Sequence, residues 1–476
     1  MKKQGTGRSP GVGKPPARLA GARPFVPTSP SVKRPANSPV KGRPAGAGPT
    51  LSVAEALAKV SPARWAAFEI LMLVGQSKGH SDELLHSRLT EALSPEDRNL
   101  ATALVMGVLR WQIALDARVR GLLQRPEQRL AEEVAIALRM GAFQLLHMDR
   151  IPVHAALSES VELCRAAGQP HATGMVNAVL RKVAAAQKPG IRVFESTAAF
   201  AERLGHPLWL VERWVKAYGR EAALRICEAD QQEHGEGGMF PLHTDPLVAL
   251  PLMDDGSRLV AEIAAAAAPT GRDQPARVWD CCAAPGGKTL ILALRLPQAE
   301  ILATDVSAKR LAQMQARMRR HPYAERVKCA VADAAEEKNV RGEFDLILCD
   351  VPCSGTGTLA GNPEIRHVLR LEELERQSIR QKRILRGALQ RLAPGGRLVY
   401  STCSLEPEEC EQVVDELLTE QKLRRIPIDQ LLQQLPSSST PQQGWQPASA
   451  VRDGALRTLP GVHACDGFFA VVLARD

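Results

Sequence analysis

Apolar residues recur every three or four positions through much of the first half of the chain, and this spacing predicts helices. Leu104 and Val108 belong to one such series. Ser94 is followed by proline and two acidic residues, which predicts a capped helix start just before this series. Because strand-like alternation is missing from 62–186, we expect an all-α domain there, with further helices over 190–235.

The pattern changes at about residue 276, where short apolar runs begin to alternate with helical periodicity. This alternation predicts a parallel, doubly wound α/β sheet of Rossmann-like form with right-handed crossovers. Between the two halves, glycine and proline interrupt 234–251, which is expected to be irregular. The predicted strands are 277–282, 300–305, 327–333, 344–350 and 396–403. The predicted helices are 288–296, 308–319 and 371–392.

Length and composition indicate a globular protein with room for two or three domains. The 476 residues are 45% hydrophobic and 24% charged, which rules out collagen and wholesale disorder. Aromatic residues make up only 4%, which argues against an aromatic platform for stacking bases. No run approaches the ~18 consecutive apolar residues of a membrane span, so we expect none.

The positive charge of the chain is concentrated at its start. The net charge is +9, but residues 1–50 carry ten bases and no acid, whereas the remaining residues carry 51 bases and 52 acids. Ten prolines and eight glycines in the same segment predict a disordered tail. Two interpretations stay open for this tail: a polycationic arm near phosphate backbones, or a solvated extension without a specific partner.

The ten cysteines do not form the pattern of a disulfide framework or a zinc site. The sequence contains neither a CxxC pair nor an HExxH motif, so we predict no metal. Without a secretory signal, a reducing, cytoplasmic location is expected. Five cysteines are interpreted as small core residues: Cys164, Cys227, Cys281, Cys329 and Cys349.

Polar groups follow the predicted strands, at the sheet edge where ligands bind in such folds. The loop 282–289, CAAPGGKT, permits close backbone approach and precedes a helix. Asp305 stands 19 residues after Gly286, near the offset at which an acid binds ribose hydroxyls. Asp333, at the end of the third strand, is placed to accept a hydrogen bond from an adenine amine. Because the loop is not GxGxxG, an adenosyl ligand with an amino-acid tail fits better than a nicotinamide dinucleotide.

Two cysteines follow the fourth and fifth predicted strands in polar turns, where a lowered thiol pKa is plausible. If those strands are neighbours, Cys353 and Cys403 face one pocket. A thiolate that adds to C6 of a pyrimidine makes C5 nucleophilic toward a sulfonium methyl. Asp350 beside N3 and N4 would stabilise the charged adduct and favour cytosine over uracil. The target base must then be single-stranded or extruded.

The ordered motifs of the second half resemble the S-adenosylmethionine-dependent RNA cytosine-5 methyltransferases. They are CAAPGGKT (282–289), DVPCSGTGT (350–358), NPEIR (362–366), STCSLEPEE (401–409) and DGFF (466–469). The helical block at 62–186 resembles the NusB-like RNA-binding domain. Together the two halves resemble the bacterial 16S ribosomal RNA cytosine-5 methyltransferases.

The resemblance implies a role for each motif residue. Cys403 of the TCS motif would be the nucleophile, and Cys353 would assist release of the methylated product. S-adenosylmethionine would be the cofactor. Its binding residues would be Cys282, Ala283, Ala284, Pro285, Gly286, Gly287, Lys288, Asp305, Asp333 and Asp350.

Two departures from the family pattern stand out. Cys410 occupies a position where the family usually has asparagine, so it either alters a helix-start contact or adds a third thiol near the pocket. The stretch between Asp230 and 254–263 is short where relatives hold a larger RNA-recognition subdomain. The expected organisation is a basic tail (1–55), a NusB-like domain (56–187), a helical linker with a shortened RNA-recognition region (188–270) and a methyltransferase domain (271–476).

Three functions remain open at this point. The first is methylation of small-subunit ribosomal RNA, and the second moves the same chemistry to transfer RNA. The third is a non-catalytic RNA-binding factor in ribosome assembly, against which the intact Cys353, Cys403 and Asp350 argue. The expected partner in each case is RNA, with neither membrane nor DNA, and the expected state is a monomer.

Overall fold

The computed structural model describes residues 53–186, 195–232, 253–269, 274–336, 340–435 and 446–475. The expected basic tail falls outside these ranges except for its last three residues, which begin a helix. The predicted irregular segment 234–251 also lies outside the described residues.

The all-α domain predicted for 62–186 is confirmed. Its helices are α1 (Val53–Leu57), α2 (Pro62–Gly75), α3 (Ser81–Leu85), α4 (Arg88–Glu91), α5 (Pro95–Arg120), α6 (Glu132–His147), α7 (Val153–Ala166) and α8 (Thr173–Ala185). The capped start of α5 is also confirmed, because the side chain of Ser94 accepts a hydrogen bond from the Asp97 backbone N–H at 3.1 Å.

Helix α5 is the central helix of this domain. It packs against α2 and α6 and buries Leu104 and Val108. At Gly107 an added Cβ would lie 1.9 Å from the Phe143 ring, so the two helices approach as closely as they do only because glycine stands there. By length and composition α5 would also pass as a membrane span, although no uninterrupted apolar run suggests one. Its burial within the helical domain gives it a different role.

Further helices connect the two halves of the chain. They are α9 (Thr197–Arg203), α10 (Leu208–Tyr218), α11 (Arg220–Ala229) and α12 (Asp255–Ala266). Trp214 of α10 is buried and donates to Glu406 at 3.0 Å, which fixes α10 against the loop that follows Cys403. Helix α12 packs along the first helix of the α/β domain.

The second half folds as an α/β domain around one large sheet. Its strands are β1 (Arg277–Asp280), β2 (Glu300–Asp305), β3 (Lys328–Val331), β4 (Phe344–Asp350), β5 (Leu392–Thr402), β6 (Leu423–Ile426), β7 (Val451–Arg452), β8 (Ala455–Arg457) and β9 (Phe469–Arg475). Its helices are α13 (Gly287–Arg295), α14 (Ala308–Met318), α15 (Ile365–Val368), α16 (Leu371–Leu389), α17 (Glu411–Glu420) and α18 (Ile428–Leu432).

The strand order is β3-β2-β1-β4-β5-β9-β8-β7, with β6 also paired to β9. The pairs formed among β1 to β5 are parallel, as predicted. Helices cover both faces of the sheet: Leu346 and Leu348 pack into one hydrophobic cluster with α12, while Ile347 and Cys349 pack into another with α16. This alternation along β4 follows from the two-residue period of a strand.

The sheet extends beyond the five predicted strands, and there it is antiparallel. Strand β9 runs antiparallel to β5, and β6, β7 and β8 extend the sheet with further antiparallel pairs. β9 is a continuous buried apolar run, so its sequence gives no sign of its direction. Strand ends also differ: β1 stops at Asp280, β3 stops at Val331, and β5 begins four residues before its predicted start.

A buried arginine joins the helical domain to the α/β domain. Arg366, in the NPEIR motif, is 1% exposed and donates to backbone carbonyls of Arg110 (3.1 Å), Gly205 (3.2 Å), Asp230 (3.4 Å) and Leu359 (3.4 Å). These carbonyls belong to α5, to the connecting helices and to the loop after β4. One side chain therefore fixes three parts of the chain next to the sheet edge.

Candidate active site

The two cysteines in polar turns lie at the carboxyl ends of adjacent strands. β4 and β5 pair in parallel, with Asp350 opposite Ser401. Cys353 comes three residues after β4, and Cys403 directly follows β5. Their Sγ atoms are 3.2 Å apart, within hydrogen-bonding distance for sulfur, and both residues are partly exposed. They border one cavity of about 490 Å³.

The two thiols are close enough to share one hydrogen bond, and either sulfur can be its donor. The contact with Cys403, together with burial, raises the pKa of Cys353 well above its usual range. A protonated Cys353 can donate to the Cys403 sulfur, and a sulfur that accepts a hydrogen bond is better able to carry negative charge.

A buried carboxylate holds the two cysteine loops together. Glu409 accepts hydrogen bonds from the Ser354 backbone N–H (2.8 Å), from the Ser404 hydroxyl (2.6 Å) and from the Gln381 amide (3.0 Å). The Ser354 hydroxyl donates to the same carboxylate. Burial raises the pKa of Glu409, and these donors oppose the rise. Because Ser354 and Ser404 each follow a cysteine, Glu409 fixes the separation of the thiols.

Five of the predicted cofactor residues border the same cavity as the thiols: Cys282, Ala284, Asp305, Asp333 and Asp350. The side chain of Asp305 is 4% exposed; its Oδ1 accepts from the Ser307 backbone N–H at 2.8 Å, and its Oδ2 lies 3.4 Å from Arg310. Asp333 accepts from the Ala335 N–H at 2.9 Å. Asp333 was predicted at the end of β3 but lies two residues beyond it, in the following turn.

Asp350 lies between the thiols and the loop 282–289. Its Oδ2 forms a 2.7 Å ion pair with Lys288 Nζ, and its Oδ1 accepts from the Ser401 hydroxyl at 2.7 Å. Lys288 also donates to the Ser257 hydroxyl on α12 at 2.7 Å. A second cavity of about 520 Å³ is bordered by Lys288 and Asp350, and it shares Cys282, Ala284 and Asp350 with the first.

The loop itself depends on Gly286, which has φ +101° and immediately precedes α13. An added Cβ there would lie 2.7 Å from Met314, so both backbone conformation and space require glycine. Beneath the loop, burial raises the pKa of Asp280 to about 7, and the Thr289 hydroxyl donates to its carboxylate at 2.6 Å. The loop thus packs against α14 at Gly286, and the helix start that follows it is bonded to β1 through Thr289.

Most of the cysteines interpreted as core residues are buried. Cys164, Cys227, Cys281 and Cys349 are buried, as predicted for core residues, whereas Cys329 is partly exposed. Cys281 also borders the first cavity, with its Sγ 3.3 Å from that of Cys349. Within the ranges that the structure describes, no group of three or more His, Cys, Asp or Glu residues is arranged to hold a metal ion.

Cys410 is not a third thiol in the cavity. It is fully buried behind the Cys403 loop, 3.4 Å from the Thr402 hydroxyl and 3.5 Å from an Arg457 nitrogen. It precedes α17 without capping it. Burial raises its pKa to about 12, so the thiol stays neutral.

Comparison with known proteins identifies the family. The family model described as 16S rRNA methyltransferase RsmB/F matches residues 267–474, and the NusB family model matches residues 61–185. Ribosomal RNA small subunit methyltransferase B of Xanthomonas campestris is 32% identical over 469 residues, covering 89% of this chain and 100% of the relative. The chain belongs to the RsmB/F methyltransferase family.

Other relatives agree with this assignment. The probable ribosomal RNA small subunit methyltransferase B of Bacillus subtilis is 29% identical over 463 residues, covering 86% of this chain and 98% of the relative. The crystal structure of PH0851 shares the fold, with a TM-score of 0.64 at 20% identity over 87% of this chain and 99% of that one. This RsmB/F family member is thus an S-adenosylmethionine-dependent RNA methyltransferase with an N-terminal NusB domain.

The polar side chains at the RsmB/F site fit an adenosyl cofactor. Asp305 and Asp333 present carboxylate oxygens, which accept hydrogen bonds from hydroxyls and amines, along one cavity. The glycine-rich loop and the start of α13 border the adjoining cavity. The residues predicted from sequence to bind the cofactor are therefore grouped around two connected spaces.

Sequence reasoning missed several residues of this site. Glu409 and Gln381 carry the network beneath the thiols, and Arg366 anchors the α/β domain on the helical domain. Glu409 and Arg366 stand inside the motifs STCSLEPEE and NPEIR, which is the only signal that pointed to them. Some of their partners are distant along the chain: Ser354 is 55 residues from Glu409, and Arg110 is 256 residues from Arg366. No local pattern identifies such contacts.

Proposed function

We propose that this protein transfers a methyl group from S-adenosylmethionine to C5 of a cytosine in small-subunit (16S) ribosomal RNA through a covalent adduct with Cys403. The observation that carries the proposal is the 3.2 Å contact between Cys353 and Cys403 inside the cavity that Asp305 and Asp333 also border. The names of the relatives, with the NusB match at 61–185, support small-subunit ribosomal RNA as the substrate.

Cys403 acts as the nucleophile. Its sulfur lies 3.2 Å from that of Cys353, whose raised pKa keeps Cys353 protonated, so Cys353 would donate a hydrogen bond to it. The Cys403 thiolate adds to C6 of the cytosine, and electron density moves onto the ring so that C5 becomes nucleophilic. S-adenosylmethionine supplies the methyl group from its sulfonium.

Cys353 assists release of the product. Transfer of the C5 proton to solvent water lets the ring expel Cys403 as a thiolate and recover its aromaticity. The Cys353 S–H is within 3.2 Å of the departing sulfur, so its hydrogen bond stabilises the leaving thiolate. Without that donor the adduct would persist.

Asp350 and Lys288 orient the base. Asp350 accepts from Ser401 and pairs with Lys288, so its carboxylate is held at the carboxyl end of β4, three residues before Cys353. A fixed carboxylate there accepts a hydrogen bond from the N4 amine of cytosine, whereas uracil has an acceptor oxygen at that position. This contact accounts for cytosine selectivity.

Cofactor binding falls to the aspartates and the loop. Asp305 would bind ribose hydroxyls and Asp333 the adenine amine, with Cys282, Ala283, Ala284, Pro285, Gly286, Gly287 and Lys288 forming the loop that borders the second cavity. The protein would act as a monomer in the cytoplasm, where a reducing environment keeps the closely spaced thiols from forming a disulfide.

The test is to incubate the purified protein with methyl-labelled S-adenosylmethionine and separate pools of small-subunit ribosomal RNA and transfer RNA, each from cells that lack the gene. We expect label in ribosomal RNA, recovered as 5-methylcytidine after nuclease digestion. Label in transfer RNA alone would reassign the substrate. If neither pool is labelled while the protein still binds ribosomal RNA, the protein is a binding factor and the proposal is wrong.

A further inference from the structure

Three arginines of α16 form one wall of the cavity that contains the thiols. Arg376, Arg380 and Arg383 all border it. Their spacing of four and three residues places them on the same face of the helix. Ile379 lies between them and also borders the cavity, with 55% of its surface exposed. We call these four residues the arginine face.

The charges of the arginine face are available to a ligand. Arg376 pairs with Glu373 at 3.2 Å and Arg383 pairs with Glu336 at 3.5 Å, and both arginine side chains are more than 60% exposed. Exposed ion pairs of this kind contribute little to stability. A second anion can therefore take over these guanidinium groups at small cost.

The other basic side chains of α16 pair with acidic residues of a neighbouring helix. Lys382 pairs with Glu416, and Arg386 bonds to Glu416 at 2.9 Å and to Glu420 at 2.6 Å, both on α17. These two basic side chains lie toward α17 and hold it in place. The basic residues of α16 are thus divided between a structural set and a set that faces the cavity.

The shape of the site favours an extended ligand. A further cavity of about 900 Å³ shares Cys353 and Arg376 with the first and continues toward α3 of the helical domain. Its lining includes Asp82 and Glu83 of α3, of which Glu83 pairs with Lys309 at 2.7 Å. A polyanion that passes the thiols along this extended space is attracted by the arginine face.

We infer that the arginine face binds the phosphates of the RNA strand next to the target cytidine. The planar guanidinium group donates two parallel hydrogen bonds to a phosphate, and Ile379 offers an apolar surface to a ribose or base between them. The inference rests on the proposed function, because it assumes that the strand entering this cavity is RNA.

A matched pair of double variants tests it. In one, Arg380→Gln is combined with Arg383→Gln; in the control, Lys382→Gln is combined with Arg386→Gln. Both remove two positive charges from the same helix, so a general loss of charge affects them equally. RNA binding is measured over a series of salt concentrations, together with S-adenosylmethionine binding and thermal unfolding.

For the arginine-face variant we expect the slope of log K against log salt to become shallower by about 1.4, because each phosphate contact on a single strand contributes about 0.7. RNA affinity should fall on the order of tenfold in 0.1 M salt, with S-adenosylmethionine affinity unchanged. The control should keep the wild-type slope even if its melting temperature drops.

Equal slopes in the two variants, or a loss of S-adenosylmethionine affinity in the arginine-face variant, would overturn the inference. Failure of the proposed function is distinguishable, since wild-type protein would then label no ribosomal RNA at all. If the wild type methylates ribosomal RNA and the arginine-face variant keeps its salt slope, only the assignment of the arginine face is wrong.

Discussion

The Sγ atoms of Cys353 and Cys403 lie 3.2 Å apart, although the two residues are 50 positions apart in sequence. The parallel pairing of β4 and β5 brings them together, and the carboxylate of Glu409 fixes the turns that carry them. The site is thus built by strand order first and by a buried polar network second. The predictions below separate these contributions.

Asp305 is expected to determine cofactor affinity. Asp305→Asn removes the charge from hydrogen bonds to the ribose, each worth about 1.5–3 kcal/mol when one partner is charged. The dissociation constant for S-adenosylmethionine, measured by calorimetry, should rise by about tenfold or more. Glu300→Gln removes a charge from the exposed start of the same strand and should leave the constant unchanged. Equal affinities for the two variants would contradict the assignment.

Glu409 is expected to stabilise the protein and to set the geometry of the thiols. Glu409→Ala leaves buried donors on Ser354, Ser404 and Gln381 without their acceptor, and should lower the free energy of unfolding by at least about 1–3 kcal/mol. It should also slow formation of a Cys353–Cys403 disulfide by a mild oxidant, because the loops are no longer tied together.

The control for this variant is Glu408→Ala, which removes the same charge from the adjacent, partly exposed residue that pairs with Arg213. Its oxidation rate should match that of the wild type. If both variants oxidise at the wild-type rate, Glu409 is not needed to position the thiols.

Asp280 is expected to make stability depend on pH. Its pKa in the folded state is raised to about 7 by burial, so between about pH 4 and 7 the folded state binds a proton that the unfolded chain has released. The free energy of unfolding relative to Asp280→Asn should therefore fall as the pH rises through this window, by at most about 1.4 kcal/mol per pH unit. Chemical denaturation of both proteins at several pH values checks this. A constant difference would show that Asp280 does not titrate in that range.

Arg366 is expected to hold the helical and α/β domains together. Arg366→Ala removes the donor from carbonyls on α5, on the connecting helices and on the loop after β4. The free energy of unfolding should fall by at least about 2 kcal/mol. Arg370→Ala, at an exposed position four residues later, should cost much less in the same denaturation experiment. Similar losses in both would contradict the role of Arg366.

The sequence was sufficient for the parts of the fold that follow from local periodicity. The helices up to Ala185 and strands β1 to β5 carry the 3.6- and two-residue patterns or the short apolar runs that define them. The approach of Cys353 to Cys403 depended on the condition that β4 and β5 are neighbours, and the structure meets this condition.

What the sequence did not predict depends on contacts between distant residues. The direction of β9 is set by its pairing with β5, and an apolar run is the same for either direction. The network around Glu409 brings together residues from β5, α16 and both cysteine loops, and it forms only once the sheet has closed around them. Such contacts leave no periodic signal.

The most direct test of the central claim uses Cys353→Ala and Cys403→Ala in parallel, each incubated with ribosomal RNA and S-adenosylmethionine. Cys353→Ala should accumulate a covalent protein–RNA species that survives a denaturing gel, with the modified nucleotide attached at Cys403 in a digested peptide. Cys403→Ala should form no adduct and transfer no methyl group, yet bind S-adenosylmethionine as the wild type does. An adduct at Cys353 in the Cys403→Ala protein, or methyl transfer by that protein, would contradict the account.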